Sequence, residues 1–230
     1  MGIKERQERD REAVRRSILD AARELFVAEG FQNVSIRKIA ERIEYSPAAI
    51  YGYFPSKDDI FFALAEEGFH LLGDPATILG DPALAAAPPL ERVRAAFWRL
   101  YIFSREQPQY FGLMFIDRSV PRISREYERF AFAREGKQHI IEQLRAAIDA
   151  GALPSGLEPQ IAMRALMVGI LGVALLNLNE RLLPGEDADL LAADVLNLTL
   201  AGLRSGVELH SPPMQACPLD TVPVADAQAS

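Results

Sequence analysis

The stretch from Asn33 to Lys57, NVSIRKIAERIEYSPAAIYGYFPSK, limits most severely what this chain can fold into. Ser35 stands where it can cap a helix in which Ile36, Ile39, Ala40 and Ile43 recur at helical spacing and form one apolar face. Glu44 and Tyr45 interrupt that pattern. Ser46 can cap a second helix beginning at Pro47, where the missing N–H costs nothing and the fixed φ suits the helix. Phe54-Pro55 ends it, because proline pushes the preceding residue out of the helical region. Ser56-Lys57-Asp58-Asp59 then opens a third helix ahead of Ile60 and Phe61. Two short helices joined by a tight turn, each apolar on one side, suit a helix-turn-helix.

The second helix has an unusual outer face. Ile50 and Phe54 take its buried side, while Ala48, Ala49, Tyr51 and Gly52 fall away from it at about 100° per residue. Small residues beside tyrosines permit close approach to a groove, and Arg37, Lys38 and Lys57 bracket the surface with positive charge that phosphates could meet. Pattern alone leaves two readings open: a DNA-reading surface, or a small helical subdomain with ordinary surface lysines.

The run IRKIAERIEYSPAAIYGYFPSKDDIFFAL resembles the DNA-binding domain of the TetR (tetracycline repressor-like) transcriptional regulators, and IxxAAxxLFxxxGFxxxS, from Ile18 to Ser35, continues the match without a gap. Ala22, Phe26, Gly30, Phe31, Ser35, Ile39, Ala40, Ser46, Ile50, Tyr51, Phe54 and Lys57 stand at family positions. The resemblance covers the first quarter to third of the chain. It implies a recognition helix from Pro47 to Tyr53, with Tyr51 and Lys57 on phosphates and Arg37, Pro47, Ala48 and Tyr53 near base edges; Lys38 and Ser46 complete the expected DNA-binding set. One departure matters: where the family usually has glycine in the turn, this chain has Glu44, a carboxylate near DNA in a position that favours φ > 0.

Charge agrees with a local rather than a global nucleic-acid surface. The 230 residues carry a net −7 at pH 7, which excludes a protein that coats nucleic acid by bulk electrostatics. Residues 1–60 hold eleven Lys/Arg and eleven Asp/Glu, so the whole −7 lies beyond them. The single Cys217 excludes an internal disulfide framework. The N-terminus, MGIKERQERDREAVRR, lacks the apolar core of a signal peptide, so the expected location is cytoplasmic. The longest apolar run, Ala165 to Leu176, is shorter than the roughly 18 to 20 residues a membrane span requires, so no membrane partner is expected.

The chain divides into an arm and helix-turn-helix at 1–56, a helical ligand-binding and dimerisation domain at 57–206, and a disordered tail at 207–230. Residues 1–10 read as a frayed mixed-charge arm ahead of a helix from about Arg11 to Glu29. A linking helix from Lys57 to about Leu72 has apolar residues on more faces than the small domain can cover, so it joins two cores. The segment from Gly73 to Pro89, rich in proline and glycine, breaks any helix. Further helices are expected over about 90–107, 109–119, 123–150, 158–183 and 187–205, giving an all-α fold.

Ten of the nineteen aromatic residues fall between Phe97 and Phe132, including Tyr127 and Phe130. Such a concentration fills a core or lines a cavity; the family resemblance implies a pocket for a small apolar or aromatic ligand, with Phe97, Trp98, Tyr101, Phe111, Met114, Phe115 and His139 as candidates. The last two helices carry more apolar surface than one neighbour covers, which points to a homodimer through Met167, Gly169, Gly172, Leu176, Leu196 and Leu200. No histidine pair at metal-binding spacing, phosphate loop or nucleophile elbow is present. The sequence therefore reads as a non-enzymatic, ligand-responsive regulator, a repressor of a palindromic double-stranded operator, needing no cofactor or metal. The alternative is a helical binder of hydrophobic small molecules with weak or lost DNA binding, with Glu44 as its clue.

Overall fold

A computed structural model describes residues 2–73, 84, 86–121 and 131–212. Among these every regular element is helical: α1 (Ile3–Glu29), α2 (Ile36–Arg42), α3 (Pro47–Tyr51), α4 (Lys57–Leu72), α5 (Pro89–Glu106), α6 (Pro108–Phe111), α7 (Ala131–Asp149), α8 (Pro159–Leu178) and α9 (Ala188–Arg204). A 3-10 turn, Phe31–Asn33, links α1 to α2, and a π-helical turn, Gly112–Ile116, extends α6. Most of the linker after Gly73, the start of the long helix near Ile123, Tyr127 and Phe130, and the tail from 213 onward lie outside the described residues.

The three serines expected to start helices do so. Ser35, Ser46 and Ser56 accept from the backbone N–H groups of Lys38, Ala49 and Asp59, which satisfies donors that the first turn of a helix leaves unpaired. Helix α4 runs over the expected residues, and its buried set, Ile60 to Ala65 and Gly68, spans more than one face. One continuous cluster of buried side chains extends from Ile18 through α4 to Leu203. In the C-terminal half α8 packs on α5, α7 and α9, while α4 meets α1 on one side and α5 and α6 on the other.

Three expectations change. The N-terminal arm is helical from Ile3, where Gly2 N donates to Glu5 Oε2 at 2.9 Å and closes the first turn. The segment after Pro108 makes one α-helical turn, Pro108–Phe111, and then widens into a π-turn instead of continuing as one α-helix to 119. Finally, α8 is 20 residues long and apolar enough, by length and composition, to cross a membrane, longer than the run bounded by charge pattern. Within this fold Ala162, Met163, Leu166, Ile170, Val173 and Ala174 are buried against the neighbouring helices.

Candidate nucleic-acid interface

Helix α3 is five residues long and is held by its inner side. Ile50 and Phe54 are buried, while Ala48, Tyr51 and Gly52 are exposed and Tyr53 is half-buried. Pro47 starts the helix and Ser46 is occupied as its cap, so both set the position of the reading face. Arg15 lies over the Phe54 ring at 5.3 Å and Arg11 over the Tyr53 ring at 5.7 Å, so α1 grips the end of α3 from behind. These two stacks were not legible in the helical periodicity of α1, because they depend on where α3 crosses it.

The turn between α2 and α3 takes the form its sequence position implied. Glu44 has φ 59°, a left-handed conformation that side chains with a Cβ adopt at a cost of about 1 kcal/mol. Tyr45 N donates to Ala40 O at 2.9 Å and closes the end of α2. The Glu44 side chain is exposed on the same connection.

The basic residues are more engaged than the sequence suggested. Arg37 is 81% exposed and donates to Glu41 at 2.9 Å; Lys38 pairs with Glu29, and Arg42 reaches Glu24 at 3.0 Å. Exposed pairs of this kind are weak, and phosphates can compete for them. Lys57 is placed differently from the expected phosphate ligand. Its ammonium donates to Phe31 O at 2.7 Å and Val34 O at 3.0 Å and lies 4.1 Å from the centre of the Phe31 ring. Burial holds its pKa below the usual lysine range. Two of its three N–H groups therefore tie the α1–α2 connection to α4.

The aromatic candidates fall into separate groups. Tyr101, fully buried on α5, stacks near Trp98 at 5.3 Å and donates to Asp189 Oδ1 at 2.6 Å, and Arg105 pairs with the same carboxylate. Phe97 is buried one position before Trp98. Phe111 meets Phe103 at 6.3 Å and Phe115 at 5.0 Å, and Phe115 meets Phe69 of α4 edge-on at 6.3 Å. Met114 fills the space left by Gly68, where a Cβ would lie 2.3 Å from its sulfur. His139 contacts Gln143 at 3.2 Å, and Gln143 accepts from Arg92 at 3.3 Å.

The phenylalanine group thus lies against the linking helix, beside polar ties absent from the sequence reading. Arg16 pairs with Asp20 and with Glu67 of α4. Arg23 donates to Gln109 Oε1 at 3.0 Å and Tyr110 Oη at 2.8 Å. Gln32 donates to Ser119 O at 2.6 Å. No periodicity signals the ties between helices, because Arg16–Glu67, Arg23–Gln109, Arg23–Tyr110 and Gln32–Ser119 each join residues more than fifty positions apart.

The expected dimer residues also divide. Leu196 and Leu200 are buried within the single chain and so cannot form a surface between copies, a correction that follows from α9 packing on α8. Gly169 serves the same internal contact: a Cβ there would lie 2.8 Å from Val195 Cγ1. Met167 is half-buried, whereas Gly172 and Leu176 are exposed. Beside them Val168, Leu175, Leu190 and Leu198 are exposed; the residues expected from sequence lie one or two positions from Val168, Leu175 and Leu198, and six from Leu190.

Comparison with known proteins agrees with this architecture. Residues 18–64 match the family described as bacterial regulatory proteins, tetR family. An HTH-type transcriptional repressor of Mycobacterium tuberculosis is 44% identical over 55 residues, 24% of this chain and 29% of its own length. The HTH-type transcriptional regulator SrpR of Pseudomonas putida is 27% identical over 164 residues, 70% of this chain and 74% of its own. The chain thus matches the first of these over under a third of the relative's length. Among solved structures, the regulator FadR of Bacillus subtilis in complex with stearoyl-CoA superposes with a TM-score of 0.65 at 18% identity, over 81% of this chain and 97% of that one. The TetR family regulator PfmR of Thermus thermophilus gives 0.61 at 22%, over 81% and 98%. The N-terminal helix-turn-helix residues 18–64 thus match the tetR family of bacterial regulatory proteins, and the all-helical fold behind them is shared with solved regulators.

Proposed function

We propose that this protein is a homodimeric transcriptional repressor that binds a palindromic operator through α2 and α3 and is released by a small apolar or aromatic molecule. The observation that carries the proposal is the reading face of α3: Ala48, Tyr51 and Gly52 are exposed on a helix fixed from beneath by Ile50 and Phe54. A helix held this way can enter a major groove while its small residues let the backbone approach base edges. Arg37 and Tyr53 flank that face, and Lys38 and Lys57 stand at its rim.

The ligand part rests on the aromatic groups of α5 and α6. Phe115 touches Phe69, so a molecule seated near Phe111, Met114 and Phe115 would press on the helix that carries the DNA-binding unit. The stearoyl-CoA complex of a protein with this fold makes an acyl chain one suitable occupant. The dimer part rests on the outer faces of α8 and α9, where Val168, Gly172 and Leu175 stand beside Leu190 and Leu198. A two-fold axis there would bury both stripes against their copies.

Selection of duplexes from a random pool by the full-length protein tests the reading. Enrichment of a two-fold symmetric sequence, with half-sites about 34 to 36 Å apart or a multiple of that, is the expected result. The alternative, a binder of hydrophobic molecules with weak DNA affinity, is favoured by the carboxylates around the reading unit: Glu44 in the turn, and Glu41, Glu29 and Glu24 on three of its basic residues. A pool that yields no enriched sequence, from a protein that still takes up an apolar ligand, selects that alternative.

A further inference from the structure

We infer that the first three turns of α1 form an additional DNA-contacting element that grips a sugar–phosphate strand beside the recognition helix, an inference that rests on the DNA-binding reading above. The helix begins at Ile3, yet its first fully buried side chain is Ile18. Residues 4–13 are exposed throughout. Ten residues at 1.5 Å each carry the helix about 15 Å past the core of its own domain. A projection this short gains little from intrinsic helix formation and needs support from outside itself. That support comes from Val14, packed against the core, and from the stacks of Arg11 on Tyr53 and Arg15 on Phe54.

The projection and the end of α3 enclose an open groove of about 480 Å³ lined by Gln7, Asp10, Arg11, Val14, Gly52 and Tyr53. Gln7, Arg11 and Val14 recur at helical spacing, and Lys4 lies one turn further out on the same face. Gly52 and Tyr53 follow the exposed Tyr51 of the reading helix, so a strand that passes Tyr51 reaches the groove next. Its lining mixes polar and apolar groups, with Arg11 set against Asp10 beside Gln7 and Val14, and Lys4, next along the same face, adds the further cation that a phosphate backbone would meet.

The charge distribution supplies the second reason. Arg37, Lys38 and Arg42 are each paired with a carboxylate, and Lys57 is committed to two backbone carbonyls. Among the described residues Lys4 and Arg11 have no carboxylate partner, so they meet a phosphate without first breaking an ion pair. Asp10 stands in the same groove and opposes the strand, which makes it the position where removing charge should tighten binding.

Full-length protein titrated with a random-sequence duplex across salt concentrations tests the assignment without knowledge of the operator. Each lost phosphate contact lowers the slope of log affinity against log salt by about 0.9. Arg11→Ala and Lys4→Ala should each remove about that much per subunit, and Asp10→Asn, at an exposed site that folding does not depend on, should tighten binding severalfold. Slopes unchanged in both cation variants, with no tightening by Asp10→Asn, overturn the inference if Arg37→Ala still weakens binding. A wild-type protein that fails to bind the duplex even at low salt overturns the DNA-binding reading itself, and this inference with it.

Discussion

The reading unit of α1 to α3 and the bundle of α5 to α9 are both helical and both bury aliphatic side chains, yet they specify their structures by different means. In the reading unit the turns are set by local devices: a serine at the start of α2 and of α3, a proline in the first turn of α3, a left-handed residue between α2 and α3. In the bundle the helices are apolar on several faces, so which face meets which neighbour is settled by packing between distant segments. Local devices fix a shape before a partner is present, whereas packing fixes it only once the partner is in place.

The sharpest way to break that comparison is to place a charge on each side of α9. Leu196→Glu should lower stability by about 4 kcal/mol or prevent folding, because the carboxylate enters a filled core. Leu198→Glu, at a side chain 72% exposed, should leave the melting temperature of the single chain nearly unchanged and instead dissociate the proposed dimer. Thermal melts together with sedimentation separate the two effects; equal loss of folding in both variants would mean that the outer face belongs to the core.

A second effect belongs to the bundle alone. Burial, assisted by the bond to Asp189, pushes the Tyr101 phenol up to about 12. Because its folded-state pKa is raised, the associated stability is complete below pH 10 and is lost as pH climbs through 12. Denaturant melts over that range should show the decline, and Tyr101→Phe should flatten it.

Lys57→Ala connects the two regions. Removing an ammonium that holds two carbonyls should cost about 1.5 to 2 kcal/mol of stability. Tyr51→Ala, on an exposed ring, should reduce DNA affinity about tenfold with no change in melting. If Lys57→Ala lowers DNA affinity without lowering the melting temperature, the lysine works mainly at the DNA surface.

The smallest effect is expected at the turn. Glu44→Gly should add about 1 kcal/mol of stability by relieving the left-handed backbone, and should raise DNA affinity most at low salt. Weaker operator binding by the glycine variant would instead show that the carboxylate makes a specific contact.

What the sequence disclosed follows the same division. Ser35, Ser46, Ser56 and the positive φ at Glu44 were legible because each answers to a requirement of its immediate neighbours. Lys57 was legible as a cation but not as an inward-turned one, since its carbonyl partners lie 23 and 26 residues earlier. Leu196 and Leu198 were both visible as apolar, but a helix with apolar residues on several sides gives no phase from which to choose the buried one. The helical arm was missed because its charges resemble those of a solvated segment, and the rings that hold it belong to α3.

The C-terminal end of α4 has a mechanical consequence. Arg99 of α5 donates to the carbonyl oxygens of Leu72 at 3.1 Å and Leu71 at 2.9 Å, pinning the end of α4 to the bundle. The 16-residue helix is then a lever about 24 Å long with one end fixed and the reading unit at the other. A tilt of about 5° at the pin, small enough to come from one repacked side chain, sweeps the free end by about 2 Å over that length. In the proposed dimer the sweep would occur twice, so reading heads matched to one turn of DNA would lose register by about 4 Å while neither one changed shape.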